Sequence, residues 1–227
     1  MKKADFKVQS FKGGFDDNFT YLVTCGKTNT QFLIDASVPF REISSNVSHE
    51  ISSVFITHTH GDHIAYLNEV ISSFPDLKVI IFRDSVSGIS GENIRGVDDH
   101  SQIQAGNLNI EVIHTPGHYD DSLCFYMGNI LFTGDTLFVG RTGRTISLRS
   151  DTRQLYRSVY KKLLILPGDT LLYPGHDYGP KPYCTLKENI EISPLLCAVD
   201  EDDFVKRMEE YEKMRNYSHW ASWLDRR

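Results

Sequence analysis

The stretch from Ser52 to His63 reads SSVFITHTHGDH, and it decides the fold class of this 227-residue chain. Its first half is a short apolar run typical of a buried strand. Its second half places four ligand-type side chains directly after that strand: His58, His60, Asp62 and His63. Side chains two apart in an extended segment point the same way, so the first two histidines can converge on one ion. Three of the chain's nine histidines lie here, which favours a metal site over a polar turn.

Three further apolar runs are each followed by a histidine or an aspartate. The segments VIHTPGHYDDS, ILFTGDT and LLYPGHDYG place His118, Asp135 and His176 after predicted strands. A rigid sheet presents ligands from its strand ends, which is how sites form on layered α/β folds. Imidazole and carboxylate together suit zinc, iron, manganese or nickel. We therefore predict a metal centre built from His58, His60, Asp62, His63, His118, Asp135 and His176, and ordinary structural roles for His49, His100, His114 and His219.

The rest of the pattern mixes strands with helices. We predict strands at FKVQSF, FTYLVTC, TQFLIDA, LKVIIF, LNIEVIHT, SLCFYM, NILFTGD and TLLYPGH. Helices are predicted from Pro39, over HIAYLNEVISSF with Asp62 as its N-terminal cap, over RQLYRSVYKKLLIL, and over a charged tail. This tail, from Asp200 to Arg215, has an inner stripe of Phe204, Val205, Met208 and Tyr211. The pattern indicates a layered α/β or α+β protein, one domain over residues 1–227 with a short helical tail from about 197.

The composition limits which binding partners and which cellular compartment we expect. The net charge of -6 and the pI of about 5.8 argue against nucleic acid and against an anionic membrane surface. The four cysteines form no C-x-x-C pair, and no signal peptide or membrane-length apolar run is present, so we expect a cytoplasmic protein with reduced thiols. Trp220 and Trp223 in the tail would either contact a partner subunit, as in a homodimer, or lie on a plain surface helix, which we favour.

The ordered motifs resemble those of one known family. T-H-T-H-G-D-H, H-T-P-G-H, F-T-G-D-T and Y-P-G-H-D-Y, in this order and spacing, look like the motifs of the metallo-β-lactamase superfamily. The resemblance implies an αββα sandwich of two mixed β-sheets flanked by helices, with the metal site at one edge. It also implies a two-ion arrangement in which Asp135 bridges the ions. The first ion would take His58, His60 and His118, and the second Asp62, His63 and His176.

Within that superfamily the chain is similar to glyoxalase II and to the persulfide dioxygenases. The first similarity implies two Zn²⁺ ions, or a mixture of zinc, iron and manganese, and a metal-bound hydroxide that attacks a thioester, with Asp62 and Asp135 as catalytic carboxylates. The second implies a single Fe²⁺ on His58, His118 and Asp135, acting on glutathione persulfide. We place the hydrolase first, because Ile146 and Ser147 replace the Asp-Phe pair usual in the dioxygenases.

The expected substrate is a small thiol-derived molecule, glutathione-linked in the relatives that the motifs resemble. Arg144, Arg141 and Tyr178 are the candidate substrate-binding residues, since arginine holds carboxylates with two parallel hydrogen bonds. Two departures bear on the thiol half of the substrate: Thr142 stands where both groups usually have cysteine, and the C-terminal segment is shorter than the helical domain of glyoxalase II. A non-catalytic binding module is the third hypothesis, and it predicts lost ligands, whereas all seven are present.

Overall fold

The computed structural model describes residues 5–89 and 93–224, with the side chains of 86–88 and 216–224 left aside. Its first sheet has six strands in sequential order. The first three strands are antiparallel and the last three are added in parallel. These strands are β1 (Phe6–Gly13), β2 (Asn18–Cys25), β3 (Gln31–Ile34), β4 (Ile51–Phe55), β5 (Lys78–Phe82) and β6 (Ile94–Val97).

The second sheet also has six strands: β7 (Gln102–Ala105), β8 (Leu108–His114), β9 (Leu123–Met127), β10 (Ile130–Gly134), β13 (Leu171–Pro174) and β14 (Cys184–Thr185). Their order across the sheet is β14-β13-β10-β9-β8-β7, and the one parallel pair is β10 with β13. A short hairpin of β11 (Leu137–Phe138) and β12 (Arg141–Thr142) follows β10. Both large sheets are therefore mixed, as predicted.

Helices cover the outer faces of both sheets. One apolar cluster lies between the sheets, where the rings of Phe55 and Phe125 meet at 5.2 Å. A second packs the first sheet against the helices near it, and a third packs the second sheet against the C-terminal helices. The predicted αββα sandwich is thus confirmed. The helices are α1 (Phe40–Ile43), α2 (Leu67–Ser73), α3 (Thr152–Ser158, continued by a π-helical turn over Val159–Leu163), α4 (Leu186–Ile192) and α5 (Glu201–Leu224).

Two predicted helix boundaries are wrong: the tail helix α5 continues past Arg215 to Leu224, and the start of α2 is misplaced. Helix α2 begins at Leu67 rather than at His63, and no side chain caps it. Asp62 does not cap the helix, because its carboxylate accepts a hydrogen bond from Asn18 and faces His176 instead. Asp62 therefore faces the predicted ligands instead of the helix, and the helix starts four residues after its predicted position.

Five short strands and one helix were not predicted: β6, β7, β11, β12, β14 and α4. Strands β6 and β7 have only four residues each, and β11, β12 and β14 have two, so pairing within the sheets decides their conformation. Helix α4 is capped by Thr185, whose hydroxyl accepts the Glu188 amide. Within the described part of the chain, no helix is both long enough and apolar enough to cross a membrane.

Candidate metal centre

The seven predicted ligands meet at one edge of the sandwich. His58, His60, Asp62 and His63 follow β4 of the first sheet, while Asp135 follows β10 and His176 follows β13 of the second. His118 lies in the loop between β8 and β9. Adjacent strand ends of two sheets therefore supply side chains to a common point. A backbone hydrogen bond ties the two sheets together there: the amide of Leu123 in β9 donates to the carbonyl of Thr57, just after β4, at 2.6 Å.

The ligand atoms form three overlapping sets, within each of which the atoms lie no more than 4.8 Å apart. Nδ1 of His60 lies 2.8 Å from Nε2 of His58 and 3.1 Å from Nε2 of His118. On the other side, Nε2 of His63 lies 3.2 Å from Nε2 of His176. The three sets are His58, His60 and His118; His58, His63 and Asp135; and Asp62, His63 and His176.

Asp135 lies between the two histidine groups. Its Oδ2 is 3.6 Å from Nε2 of His118 and 3.3 Å from Nε2 of His176. Its Oδ1 is 3.2 Å from Nε2 of His63, is buried, and has no hydrogen-bond partner. A buried carboxylate oxygen without a hydrogen bond is costly unless a cation meets it. This oxygen is therefore well suited to coordinate a metal ion.

The electrostatics of His58 and Asp135 agree with that fit, whereas the neighbouring carboxylates outweigh burial and raise the pKa values of His63 and His176, whose protons a bound ion would displace. Burial, together with the charge of His63, holds the pKa of His58 well below its ordinary value. Burial works against the charge of Asp135, but His63 and His176 outweigh it and bring the pKa of this carboxyl well below its usual range. Neutral imidazole and ionised carboxylate are the forms that bind metal. The donor set of this edge therefore fits transition-metal ions such as zinc or iron.

A second carboxylate, which the sequence analysis did not single out, holds one of these ligands in place. Asp35 is buried and accepts hydrogen bonds from the amide of Thr57 at 2.7 Å and from its hydroxyl at 2.8 Å. Its Oδ2 also lies 2.8 Å from Nδ1 of His63. A carboxylate on the far ring nitrogen orients a metal-ligating histidine. The signal was present in TQFLIDA, where an aspartate follows an apolar strand just as Asp135 does.

Main-chain carbonyl groups orient two further histidines. Nδ1 of His118 donates to the carbonyl of Arg144 at 2.8 Å, and Nδ1 of His176 donates to the carbonyl of Asp16 at 2.6 Å. Each contact leaves Nε2 facing the centre. Asn18 donates to Asp62 at 2.9 Å. These three partners lie far along the chain from the ligands that they contact, and no local sequence pattern marks them.

The three predicted substrate-binding residues lie beside the centre, and other side chains already contact them. Arg144 donates from Nε and Nη2 to the carboxylate of Glu212. Arg141 lies 4.3 Å from the ring centre of Tyr178 and donates to the hydroxyl of Tyr211 at 2.9 Å. The Tyr178 ring stacks on His176 at 4.6 Å, and its hydroxyl donates to Asp16. Their role in substrate binding stays a prediction.

The remaining histidines do not join the seven. His114 stacks on Phe82 at 4.1 Å, with its Nε2 2.8 Å from the carbonyl oxygen of Asp120. His49 and His100 are exposed. The side chains of His219, Trp220 and Trp223 lie outside the described residues, so the predicted role of the tail tryptophans stays open.

Comparison with known proteins places this geometry in a family. The profile of the metallo-beta-lactamase superfamily matches residues 49–176. A probable hydroxyacylglutathione hydrolase of Schizosaccharomyces pombe is 32% identical over 179 residues, which are 73% of this chain and 66% of that protein. The human mitochondrial persulfide dioxygenase ETHE1 is 30% identical over 196 residues, 84% of this chain and 75% of that protein.

A solved structure gives the same fold over nearly the whole chain. The crystal structure of ETHE1 from Myxococcus xanthus superposes with a TM-score of 0.79 at 30% identity, and the match covers 89% of this chain and 90% of that one. The matched profile spans more than half of the chain and contains all seven predicted ligands. The chain therefore belongs to the metallo-β-lactamase superfamily.

Proposed function

We propose that the protein is a thioester hydrolase of the glyoxalase II type that holds two zinc ions. The single observation that carries this proposal is the position of Asp135, whose Oδ2 lies between His118 and His176. That oxygen is within reach of both ligand groups, and a carboxylate between two sets suits a pair of ions rather than one. The first ion would be held by His58, His60 and His118, the second by Asp62, His63 and His176, with Asp135 shared.

The two aspartates have different tasks. Ions bound at this edge would supply Lewis acidity and a lowered pKa for water. The Asp135 side chain is only 11% exposed and balances charge within the centre, whereas that of Asp62 is 29% exposed and can meet a water molecule. Asn18 donates to Asp62 Oδ2 and thereby fixes the carboxylate at the mouth of the site. We assign the Asp62 carboxylate as the group that accepts a hydrogen bond from the attacking water and orients it.

The substrate class follows from the chemistry and from the relatives. A thiolate leaves easily, so a thioester needs no strong general acid, and we assign none at this site. The Schizosaccharomyces pombe relative bears the name of a hydroxyacylglutathione hydrolase, which supports a small thiol-derived substrate for this chain. The four cysteines are all free, which supports a reducing compartment such as the cytoplasm.

A mononuclear iron persulfide dioxygenase is the second candidate. One specific observation favours it: the aligned residues make up 75% of human ETHE1 but 66% of the fission-yeast hydrolase. Its iron would take His58, His118 and Asp135, and Oδ2 of Asp135 lies 3.6 Å from Nε2 of His118. The remaining four predicted ligands would then hydrogen-bond around that ion.

Metal analysis and two activity assays test these candidates. Protein purified without added metal is analysed for zinc and iron. It is then assayed for hydrolysis of hydroxyacyl thioesters of glutathione and of a neutral thiol, and for oxygen uptake with glutathione persulfide. We expect about two ions per chain and thioester hydrolysis without oxygen uptake. One iron with oxygen consumption would overturn the hydrolase. Asp135→Ala should lose metal and activity, while Asp76→Asn, at an exposed position far along the chain, should keep both.

A further inference from the structure

The side chain of Arg144 is already engaged by a carboxylate of the protein itself. Its Nε lies 3.1 Å from both carboxylate oxygens of Glu212, and its Nη2 lies 2.7 Å from Oε2. The main-chain carbonyl of the same arginine accepts from Nδ1 of His118. One residue thus contacts a predicted metal ligand through its backbone and helix α5 through its guanidinium. The pair is partly buried, with side chains 32% and 16% exposed.

The contact belongs to a continuous face of α5. One turn before Glu212, the sulfur of Met208 lies 3.4 Å from the hydroxyl of Thr142. Between them, the hydroxyl of Tyr211 accepts from Arg141. Met208 is buried, so it anchors the helix against the β11–β12 hairpin. One turn further along the same face, Glu212 meets Arg144. The anchored helix therefore holds the glutamate against the guanidinium of Arg144, the residue whose carbonyl accepts from His118.

We propose that Glu212 is a specificity-determining residue that selects against substrates carrying a carboxylate at Arg144. The inference rests on the proposed function and narrows its substrate class. Arginine grips a carboxylate through two parallel N–H donors, and Glu212 occupies the Nε and Nη2 donors. An acidic substrate group must displace Glu212 and leave that half-buried carboxylate without its partner, which is unfavourable.

The surface beside Arg144 agrees with a substrate of low charge. Ile146 is 64% exposed and Leu148 is fully exposed, and both follow Arg144 within four residues. The substrate class is therefore a thioester whose thiol half is neutral at this point.

The proposal is tested by comparing the binding of two ligands that the protein cannot hydrolyse, so the test does not depend on turnover. The probes are S-methylglutathione, which carries two carboxylates, and the same thioether with both carboxyl groups converted to amides. Calorimetry on the zinc-supplemented full-length protein measures each affinity. Wild-type protein should bind the acid no more tightly than the diamide. Glu212→Gln should bind the acid about tenfold more tightly than wild type and leave the diamide unchanged.

Two further variants sharpen the result. Glu209→Gln removes the same charge from an exposed position of the same helix and should change neither affinity. Glu212→Gln combined with Arg144→Gln should lose the gain, because the free guanidinium causes it. The proposal is overturned if Glu212→Gln fails to tighten acid binding, if Glu209→Gln tightens it equally, or if the wild-type protein already prefers the acid by tenfold. An absence of thioester hydrolysis would overturn only the proposed function, since the binding comparison stands without it.

Discussion

Oδ2 of Asp35 lies 2.8 Å from Nδ1 of His63, and neither side chain is more than 2% exposed. Asp35 adopts a left-handed backbone conformation with φ of 58°, which an aspartate tolerates better than most residues. The same carboxylate receives two hydrogen bonds from Thr57 at the end of the strand that precedes the first motif. Burial works against a charge on His63, but Asp135 and Asp35 together raise its pKa well above the ordinary value. This pair therefore fixes the ring before any ion binds.

Replacement of Asp35 by asparagine should weaken metal binding without removing a ligand. The amide keeps the size of the side chain but lacks the charge that orients the imidazole. We expect the affinity for zinc to fall by about 10- to 100-fold, as measured by competition with a chelator. Asp76→Asn, at an exposed position, serves as the control and should bind zinc like the wild type. Unchanged affinity in Asp35→Asn would show that the ring is held by packing alone.

Two glycines near the ligands offer a matched test of close packing. A methyl group on Gly175 would lie 2.4 Å from Oδ1 of Asp135 and 2.7 Å from Cε1 of His63. A methyl group on Gly61, inside the first motif, would meet nothing within 4 Å. We expect Gly175→Ala to lose most bound metal and to destabilise the fold by about 1–3 kcal/mol, whereas Gly61→Ala should keep its metal. Metal content and urea unfolding measure both effects, and equal behaviour of the two variants would contradict the geometry.

Helix α5 contributes to the core rather than lying loosely on the surface. Phe204 is fully buried, and its ring centre lies 5.7 Å from that of Tyr156 and 5.9 Å from that of Tyr160. Phe204→Ala should lower the free energy of unfolding by about 3–5 kcal/mol. Met214→Ala, at a 65% exposed position of the same helix, should change it by less than about 0.5 kcal/mol. Chemical denaturation distinguishes these values, and a small effect at Phe204 would mean that the helix is not packed as described.

One ion pair should make stability depend on pH in the acid range. Asp99 accepts from Nζ of Lys162 at 2.6 Å and from the amide of His114 at 2.8 Å. Burial opposes the charge, but these hydrogen bonds outweigh it and lower the pKa of Asp99. A lowered carboxyl pKa adds stability that is complete above the unfolded-state value of about 4 and is lost as pH falls through the folded-state value.

The wild-type advantage over Asp99→Asn should therefore be full at pH 6 and shrink below about pH 4. Urea unfolding at several pH values measures that difference. Lys162→Met should remove the same pH-dependent increment, since it deletes the main hydrogen-bond donor. A difference between wild type and Asp99→Asn that stays constant down to pH 2 would contradict the lowered pKa.

Most of the site could be predicted from sequence because its ligands directly follow apolar strands. His58 and His60 lie two residues apart after β4, and Asp135 and His176 each follow a strand of their own. Asp35 has the same local signal, because it also directly follows an apolar strand, but it was not among the predicted site residues. The cap assigned to Asp62 was wrong because the local helix signal could not register the competing hydrogen bond from Asn18, which lies 44 residues away.

The sequence by itself determined the ligand types, their order and the strands that carry them, since apolar periodicity and polar strand ends are local properties. Tertiary structure alone decided that Asp135 lies between two histidine groups and that Glu212 reaches Arg144 across 68 residues. Such contacts depend on how two sheets and a C-terminal helix pack together, because side chains far apart in the chain meet only once the sandwich has formed.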